Sequence, residues 1–392
     1  MTVTQDVVVI GGGLNGAATA YHLSRLGAGQ VILLTGTMAD RSASQDAVGL
    51  LRTHHDNRPE AALAAASMPF FEHWEEHVGA PNGWLPSGFI RFVGEDEVES
   101  LKTNVAIQHE LGVEALVLGP AEIAGLHPYF DLHGIGAAVY EPNAGTADNW
   151  QCTTTLRAAV KRLGVHVSPT DATAILVDDR GVTGVETAGG ETIATRTVVL
   201  AAGAWSKPLA ASAGIALPLE SRAISVGEID LPEELGRVSS YMDPITDSWL
   251  TPRPGRRGLI TLHDEFTAKP ADPDRYGLRV DPAADAEGIA KVASRVPTLG
   301  GSKVRRSWTR VDTYAPDGKP IFGGVDQMPG LYLNVAAAGK GHKVAPAAGL
   351  SLSELILGHD TTTVDLTPFN LNRFAGAGFP VSGAEYAKRT IG

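Results

Sequence analysis

The sequence predicts an α/β protein of two closely connected parts, one organised around a βαβ unit and the other built on a strand-rich sheet. Three observations carry this reading. Residues 6–34 run strand, glycine turn, helix, strand. Residues 197–206 form an apolar run that passes into small residues and a new helix start. Residues 218–316 alternate like strands between Pro and Gly punctuation, with one helical stretch at 283–296. At 392 residues the chain is too long for a single simple core, which fits two parts.

The opening unit is the most specific. Asp6-Val7-Val8-Val9-Ile10 reads as a buried strand, followed at once by Gly11-Gly12-Gly13-Leu14-Asn15-Gly16. An Ala-rich helix at 17–26 and a second strand, Val31-Ile32-Leu33-Leu34, complete it. Gly11 makes the tight turn, Gly13 lets the backbone approach a pyrophosphate, and Gly16 lets helix and strand pack closely. A GxGxxG framed by strand and helix marks a dinucleotide site. The second strand usually ends in an acid that binds the adenosine ribose. Here that position is Thr35, a weaker anchor.

A Ser/Asp/Ala-rich crossing at 38–52 follows, then a helix at 59–78, a strand at 89–93 and helices at 95–111 and 120–126. A strand at 135–140 precedes a helix at 149–163 that stops at Gly164. Residues 165–167, 174–177, 184–187 and 191–193 read as one meander. After the strand-rich part comes a last βα element, a strand at 330–335 and a helix at 346–357 that begins on Pro346. The tail beyond Asp360 shows little periodicity.

Composition narrows the partners. A formal charge of −12 without a long basic run argues against nucleic acid. The single cysteine, Cys152, excludes an internal disulfide and a cysteine-rich metal site, and no metal ligation is expected. No run of about 18 apolar residues is present, so no membrane-spanning helix is expected. The N-terminus enters the fold almost directly, so no secretory signal and a cytoplasmic location are expected.

Four separated segments together resemble the D-amino-acid oxidase superfamily of flavoproteins, in particular its glycine oxidase, monomeric sarcosine oxidase and dimethylglycine dehydrogenase branch. They are the GxGxxG unit, Val198-Val199-Leu200-Ala201-Ala202-Gly203-Ala204-Trp205-Ser206, Tyr314-Ala315-Pro316-Asp317-Gly318-Lys319-Pro320-Ile321, and Gly339-Lys340-Gly341-His342-Lys343-Val344-Ala345-Pro346. Pro368-Phe369-Asn370-Leu371-Asn372-Arg373-Phe374 also resembles the family's closing signature. The resemblance implies FAD and a Rossmann-like (GR2-type) FAD-binding domain assembled from 1–80, 141–217 and 317–362. A substrate domain on a mixed β-sheet, 81–140 and 218–316, is interleaved with it, and 363–392 forms a tail. It implies oxidation of the C–N bond of an amino acid or N-alkyl amino acid to an imine by hydride transfer to flavin N5.

By the same resemblance, Gly11, Gly13, Leu14, Asn15, Gly16, Thr35, Gly36, Ser42, Ser44, Gln45, Leu50, Ala172, Ala202, Gly203, Trp205, Gly339, Lys340, Gly341, His342 and Lys343 hold the cofactor. Arg52 and Lys343 form a carboxylate clamp, a geometry that suits a guanidinium. Tyr241, Trp249 and Arg310 fall in segments that approach the substrate, and His263 is a pocket candidate. Lys340 departs from the family's Gly-His-Gly-Phe-Lys loop; as a catalytic group its charge would favour reduced flavin near N1 and the C2 oxygen. Asp46 stands where some relatives carry a flavin-linking histidine, so non-covalent FAD is expected, with His54 and His55 nearby as alternatives. The stretch 258–263 lacks the lysine that speeds reaction with oxygen in some relatives, which leaves oxygen or another electron acceptor open. The substrate's identity and chirality stay open too, as do a dehydrogenase, a flavoenzyme acting on a hydroxy acid or biosynthetic intermediate, and a non-catalytic flavin-binding protein.

Overall fold

Continuous apolar runs at 7–10, 31–34 and 198–200 make strands buried on both faces, and these form the centre of the fold. The computed structural model describes residues 2–38, 42–262, 270–274, 280–376, 378–380 and 382–386, with Thr2, Val3 and Asp46 described in backbone only. Its six-stranded sheet runs Ile321–Gly324, Leu331–Val335, Val198–Leu200, Val7–Ile10, Val31–Leu34, His166–Ser168. All pairings are parallel except the edge hairpin between Ile321–Gly324 and Leu331–Val335.

Strand alternation splits the core into two layers. Val7, Val9, Val31, Leu33 and Val199 pack under the helices Leu14–Arg25, Arg58–Glu72, Asn149–Arg162 and Gly341–Ile356. Val8, Ile10, Ile32, Leu34, Val198 and Leu200 pack against a four-stranded sheet and the helix Ser206–Ser212. That smaller sheet runs Thr2–Thr4, Thr192–Ala194, Gly181–Thr187, Ala172–Asp178.

The third sheet has eight strands in the order Val304–Tyr314, Glu220–Asp230, Arg257–Thr261, Ser248–Arg253, Ser240–Asp243, Phe89–Val93, Ala137–Glu141, Leu116–Leu118. It is antiparallel except where Ser240–Asp243 lies parallel to Phe89–Val93, so the sheet is mixed. Ile90, Phe92, Tyr241, Leu250 and Ile260 cover one face together with the helices Pro120–Leu126 and Pro282–Arg295. On its other face Ile224, Val226, Met242 and Trp249 share a cavity with Gly339, His342 and Lys343.

The structure corrects three local expectations. The strand at 165–167 does not join the meander: His166–Ser168 pairs with Ile32–Leu34 at the edge of the six-stranded sheet. Thr2–Thr4 takes the fourth place beside the meander, parallel to Thr192–Ala194. Alternation specifies a strand's faces and not its neighbours, so sheet membership was not readable locally. The helix at 59–78 divides at His73 into Arg58–Glu72 and Trp74–Val78. Pro69 removes one backbone donor from the turn before the break. The last helix starts at Gly341, so Pro346 lies inside it and not at its first turn. The tail is anchored: Phe369 and Arg373 are buried, and Arg373 pairs with Asp317 at 2.8 Å. Among the described residues no helix is long and apolar enough to cross a membrane.

Candidate functional site

A cleft opens at the C-terminal ends of the parallel strands, where small residues leave backbone exposed to a ligand. Gly11 has φ +116°, and a Cβ there would meet the Ala201 carbonyl oxygen at 2.2 Å. A Cβ on Gly16 would meet the Gly11 carbonyl oxygen at 1.9 Å, so this glycine seats the helix against the turn. A Cβ on Gly13 would meet only Ser44, its Oγ at 3.0 Å, and Gly13 lines the open cleft. The Leu14 amide donates to Ser44 Oγ at 3.1 Å; Leu14 itself is core. Asn15, Gly36, Ser42, Ala172, Ala202, Gly203, Trp205, Gly339, Gly341 and His342 also line the cleft.

The cleft contains polar atoms that the protein does not itself satisfy. Asn15 Oδ1, Ser42 Oγ, both amide atoms of Asn149, Asn334 Oδ1 and both ring nitrogens of His342 are buried without a hydrogen-bond partner. So are both amide atoms of Gln45, close by in the chain. Buried polar atoms are normally paired, so this concentration marks a place for a polar ligand.

Thr35 lines the cleft at its far end, but its hydroxyl donates to the Ser168 carbonyl at 3.2 Å. A carboxylate stands there after all. Asp171, on the turn after His166–Ser168, accepts from the Thr37 amide at 2.8 Å and the Thr37 hydroxyl at 2.6 Å. It lines the cleft beside Gly36. No spacing rule from the glycine turn points to it, because it follows a different strand.

The cleft continues into a second, smaller cavity of about 110 Å³ against the eight-stranded sheet. Ala43, Ala47, Asp312, Gly339 and His342 line both spaces. The walls follow strand parity: Trp308, Arg310, Asp312 and Tyr314 alternate along one strand, opposite Ile224 and Val226 on the next. Met242 and its cross-strand partner Trp249 close the other side. Tyr241 therefore faces away. It is fully buried among Phe92 and Phe130, with its hydroxyl 3.3 Å from Ser248 Oγ, and belongs to the core and not to the pocket. Leu50 lines this cavity and not the dinucleotide cleft. Lys343 and Arg310 are its cations.

Asp312 was missed by the sequence reading, although its parity with Arg310 was available. Its Oδ2 accepts from the Gly339 amide at 2.6 Å and its Oδ1 from the Thr313 amide at 2.7 Å. Burial raises its carboxyl pKa against these bonds and against Lys343. Burial, with Arg253 and Lys343, pushes the His342 pKa down to about 3, so this ring is neutral.

Two sequence expectations meet in a third cavity instead. Arg52 is buried, donates to the His54 carbonyl and lies 5.3 Å from the Phe89 ring. It lines this third space, whereas Lys343 lines the second, so the two do not converge on one cavity. Lys340 turns away from the cleft: its Nζ donates to Glu60 Oε1 at 2.7 Å and the Gly318 carbonyl at 2.8 Å. A buried ammonium needs such partners, and Glu60 also holds Lys319 at 2.8 Å. Burial alone would raise the Glu60 pKa; Lys340 and Lys319 hold it well below the usual carboxylate range. His54 is bonded through both ring nitrogens, to Gln108 and Tyr386 at 2.7 Å each, and His55 lines the third cavity. Neither lines the dinucleotide cleft. Cys152 is buried, and His263 lies outside the described residues.

A family model of FAD-dependent oxidoreductases matches residues 6–355. The mitochondrial sarcosine dehydrogenase of Mus musculus is 27% identical over 382 residues, covering 95% of this chain and 41% of its own length. The chain thus spans less than half of that relative. The glycine oxidase of Geobacillus kaustophilus (strain HTA426) is 26% identical over 388 residues, 96% of this chain and 99% of the relative. A crystal structure of glycine oxidase from Geobacillus kaustophilus superposes with a TM-score of 0.80 at 25% identity, over 94% of this chain and 99% of the other. L-proline dehydrogenase from P. horikoshii superposes with a TM-score of 0.83 at 22% identity, over 97% and 100%, and shares the fold.

Proposed function

This chain belongs to the family of FAD-dependent oxidoreductases, and from that premise we propose that it oxidises the C–N bond of a small amino acid or N-alkyl amino acid to an imine, a reaction for which bound FAD would supply the hydride acceptor at N5. FAD is the family's cofactor, and the cleft fits it: an approachable Gly13, a helix N-terminus, unpartnered polar atoms and a carboxylate at the far end. Non-covalent attachment is supported by the placement of His54, His55 and Cys152 away from the cleft lining. The division into cofactor-binding and substrate parts follows the six- and eight-stranded sheets.

The observation that carries the reading is the 110 Å³ cavity sharing a wall with the cleft and bearing Arg310 and Lys343. Those cations hold a substrate carboxylate, the guanidinium through two parallel hydrogen bonds. Met242, Trp249 and Trp308 confine the alkyl part and exclude water. When bound, the flavin supplies the two-electron acceptor. The protein contributes position and electrostatics, fixing one C–H toward the cleft, and the imine hydrolyses afterwards in water. The similarity to a sarcosine dehydrogenase and a glycine oxidase supports a small amino-acid substrate. Oxygen or another acceptor then takes the electrons.

Anaerobic bleaching of the purified holoprotein with amino acids, N-methyl amino acids and 2-hydroxy acids tests the proposal. Reduction by one or more amines is expected. Reduction by hydroxy acids alone, or by none of the panel, overturns it.

A further inference from the structure

Asp312 is the only acidic residue lining the substrate cavity among the described residues, and it also lines the dinucleotide cleft. Resting on the amine-oxidation reading above, we propose that the Asp312 carboxylate seats the substrate ammonium at this junction and accepts its proton before the C–H bond is broken.

A zwitterionic substrate needs charges of both signs arranged around it. Arg310 and Lys343 match the carboxylate; Asp312 alone matches the ammonium. Its backbone bonds to Gly339 and Thr313 take one lone pair on each oxygen and fix the group's orientation. A carboxylate offers about four acceptor sites, so each oxygen retains capacity for an N–H donor. In the step, one N–H bond breaks and its electron pair stays on nitrogen. The proton forms an O–H bond to Asp312, giving a neutral amine and a carboxylic acid. The amine lone pair is then free to assist departure of the hydride. Burial, which raises the carboxyl pKa, brings donor and acceptor closer in proton affinity.

The other charged or titratable groups around Asp312 are Arg310 and Tyr314 on its own strand, Arg222 across the sheet, and His342 and Lys343 on the last helix. Arg222 is paired with Glu220 at 2.7 Å, and His342 stays neutral above about pH 3.

Two measurements on FAD-loaded protein test this. The first is the pH dependence of anaerobic flavin reduction by the fastest amine of the panel. In Asp312→Asn only amine that arrives already neutral reacts, about one part in 10³ at pH 7 for an amine of pKa near 10. Its rate should fall about 10²–10³-fold at pH 7 and recover toward pH 10, while Asp312→Glu retains the wild-type curve. A residue that merely clasps the loop would lose rate at every pH. The second is binding of two unreactive probes, read from flavin absorbance: trimethylglycine, a permanent cation, and (methylthio)acetate, which lacks the charge. Trimethylglycine should bind wild-type protein more tightly as pH rises through the ionisation of Asp312, and about tenfold or more weakly to Asp312→Asn. The affinity for (methylthio)acetate should hold within about threefold in that variant. A wild-type pH curve in Asp312→Asn, or equal weakening of both probes, overturns the assignment. So does pH-independent trimethylglycine binding to wild-type protein, a result that stands even if the variant loses FAD. Failure of every amine to reduce wild-type flavin overturns the reaction reading, and the proton transfer falls with it. Failure of Asp312 alone, with the flavin still reduced, leaves that reading intact.

Discussion

Replacing Lys340 by Met separates two roles for this lysine, and the structure predicts a loss of stability and not a change in flavin chemistry. Lys340 Nζ holds Glu60 Oε1 at 2.7 Å, while Lys319 holds the other carboxylate oxygen at 2.8 Å and Asp56 at 2.9 Å. All four groups are largely buried. Lys340→Met leaves Glu60 with one of its two ammonium partners and strips the Gly318 carbonyl of a donor. Breaking a buried pair from one side typically costs about 3–5 kcal/mol. Lys319 remains, and the new side chain buries apolar surface worth about 1–2 kcal/mol. The expected net loss is therefore about 2–3 kcal/mol, measured from urea midpoints at one fixed excess of FAD, since bound ligand adds to apparent stability. Adding Glu60→Gln should recover part of the loss, because the two changes act on one network. The flavin potential should move by less than about 20 mV, the equivalent of roughly 1 kcal/mol for a two-electron couple. A larger negative shift with unchanged urea midpoint would refute the reasoning and return the ammonium to the flavin.

Asp171→Asn should weaken FAD binding about tenfold or more, as expected for loss of a charged hydrogen-bond acceptor worth about 1.5–3 kcal/mol, and leave the reduction rate of FAD-saturated protein unchanged; equilibrium dialysis and stopped-flow absorbance check the two halves. Arg310→Met should raise KM for a carboxylate substrate about 10-fold or more and barely change it for the methyl ester, since truncating one partner of a hydrogen-bonded charge pair costs about 2–5 kcal/mol and Lys343 remains to offset part of it. Steady-state kinetics on the matched pair decides this. Burial holds His22 and His54 at about 3 in the folded state, with His77 and Arg25 adding to the effect at His22, and with Arg91 and Arg52 adding at His54 against the Gln108 bond. The unfolded chain takes up these protons below about pH 6.5 and the folded one does not, so stability falls as pH drops from 6.5 toward 3, by about 1.4 kcal/mol per histidine at pH 5.5. Urea titrations of the apoprotein at pH 7.5 and 5.5 should show the loss, and His54→Gln should reduce it.

What was legible in the sequence was whatever depends on a residue and its near neighbours. The glycine turn at 11–16 was readable because strand, glycines and helix follow one another directly, and Gly16 clears the Gly11 carbonyl within the turn itself; the Ala201 carbonyl that Gly11 clears arrives from a distant strand. The strand at 89–93 and the helix at 120–126 were readable from period and caps. What was not legible depends on which distant chain arrives alongside. Asp171 reaches the cleft because His166–Ser168 pairs with Ile32–Leu34, a choice between sheets that 165–168 does not encode by itself. Tyr241 and Met242 differ by a single step of parity, and the tyrosine's chemistry drew attention to the wrong one. The partner strand decides it, since Met242 lies opposite Trp249 and Tyr241 opposite Leu250. Lys340 was read against the flavin or against solvent. Its real partner, Glu60, sits 280 residues away and leaves no local trace.

The relation between cleft and substrate cavity is fixed at one crossing. The loop from Leu331–Val335 to Gly341–Ile356 carries Ala336 at φ +59° and Ala338 at φ +48°, a backbone region costly for residues with a Cβ, by about 1–3 kcal/mol each. Such a conformation persists only when its surroundings over-determine it. Here the strand Val304–Tyr314 of the other sheet does so: the Ala338 amide donates to the Thr313 carbonyl at 3.2 Å, and the Gly339 amide to Asp312 at 2.6 Å. That strand also carries Trp308, Arg310 and Tyr314 into the smaller cavity. A shift of the eight-stranded sheet against the parallel sheet would therefore break the bonds that hold this loop in its strained form. The same few residues that line the smaller cavity thus set its distance from the cleft, the spacing on which the proposed transfer would depend.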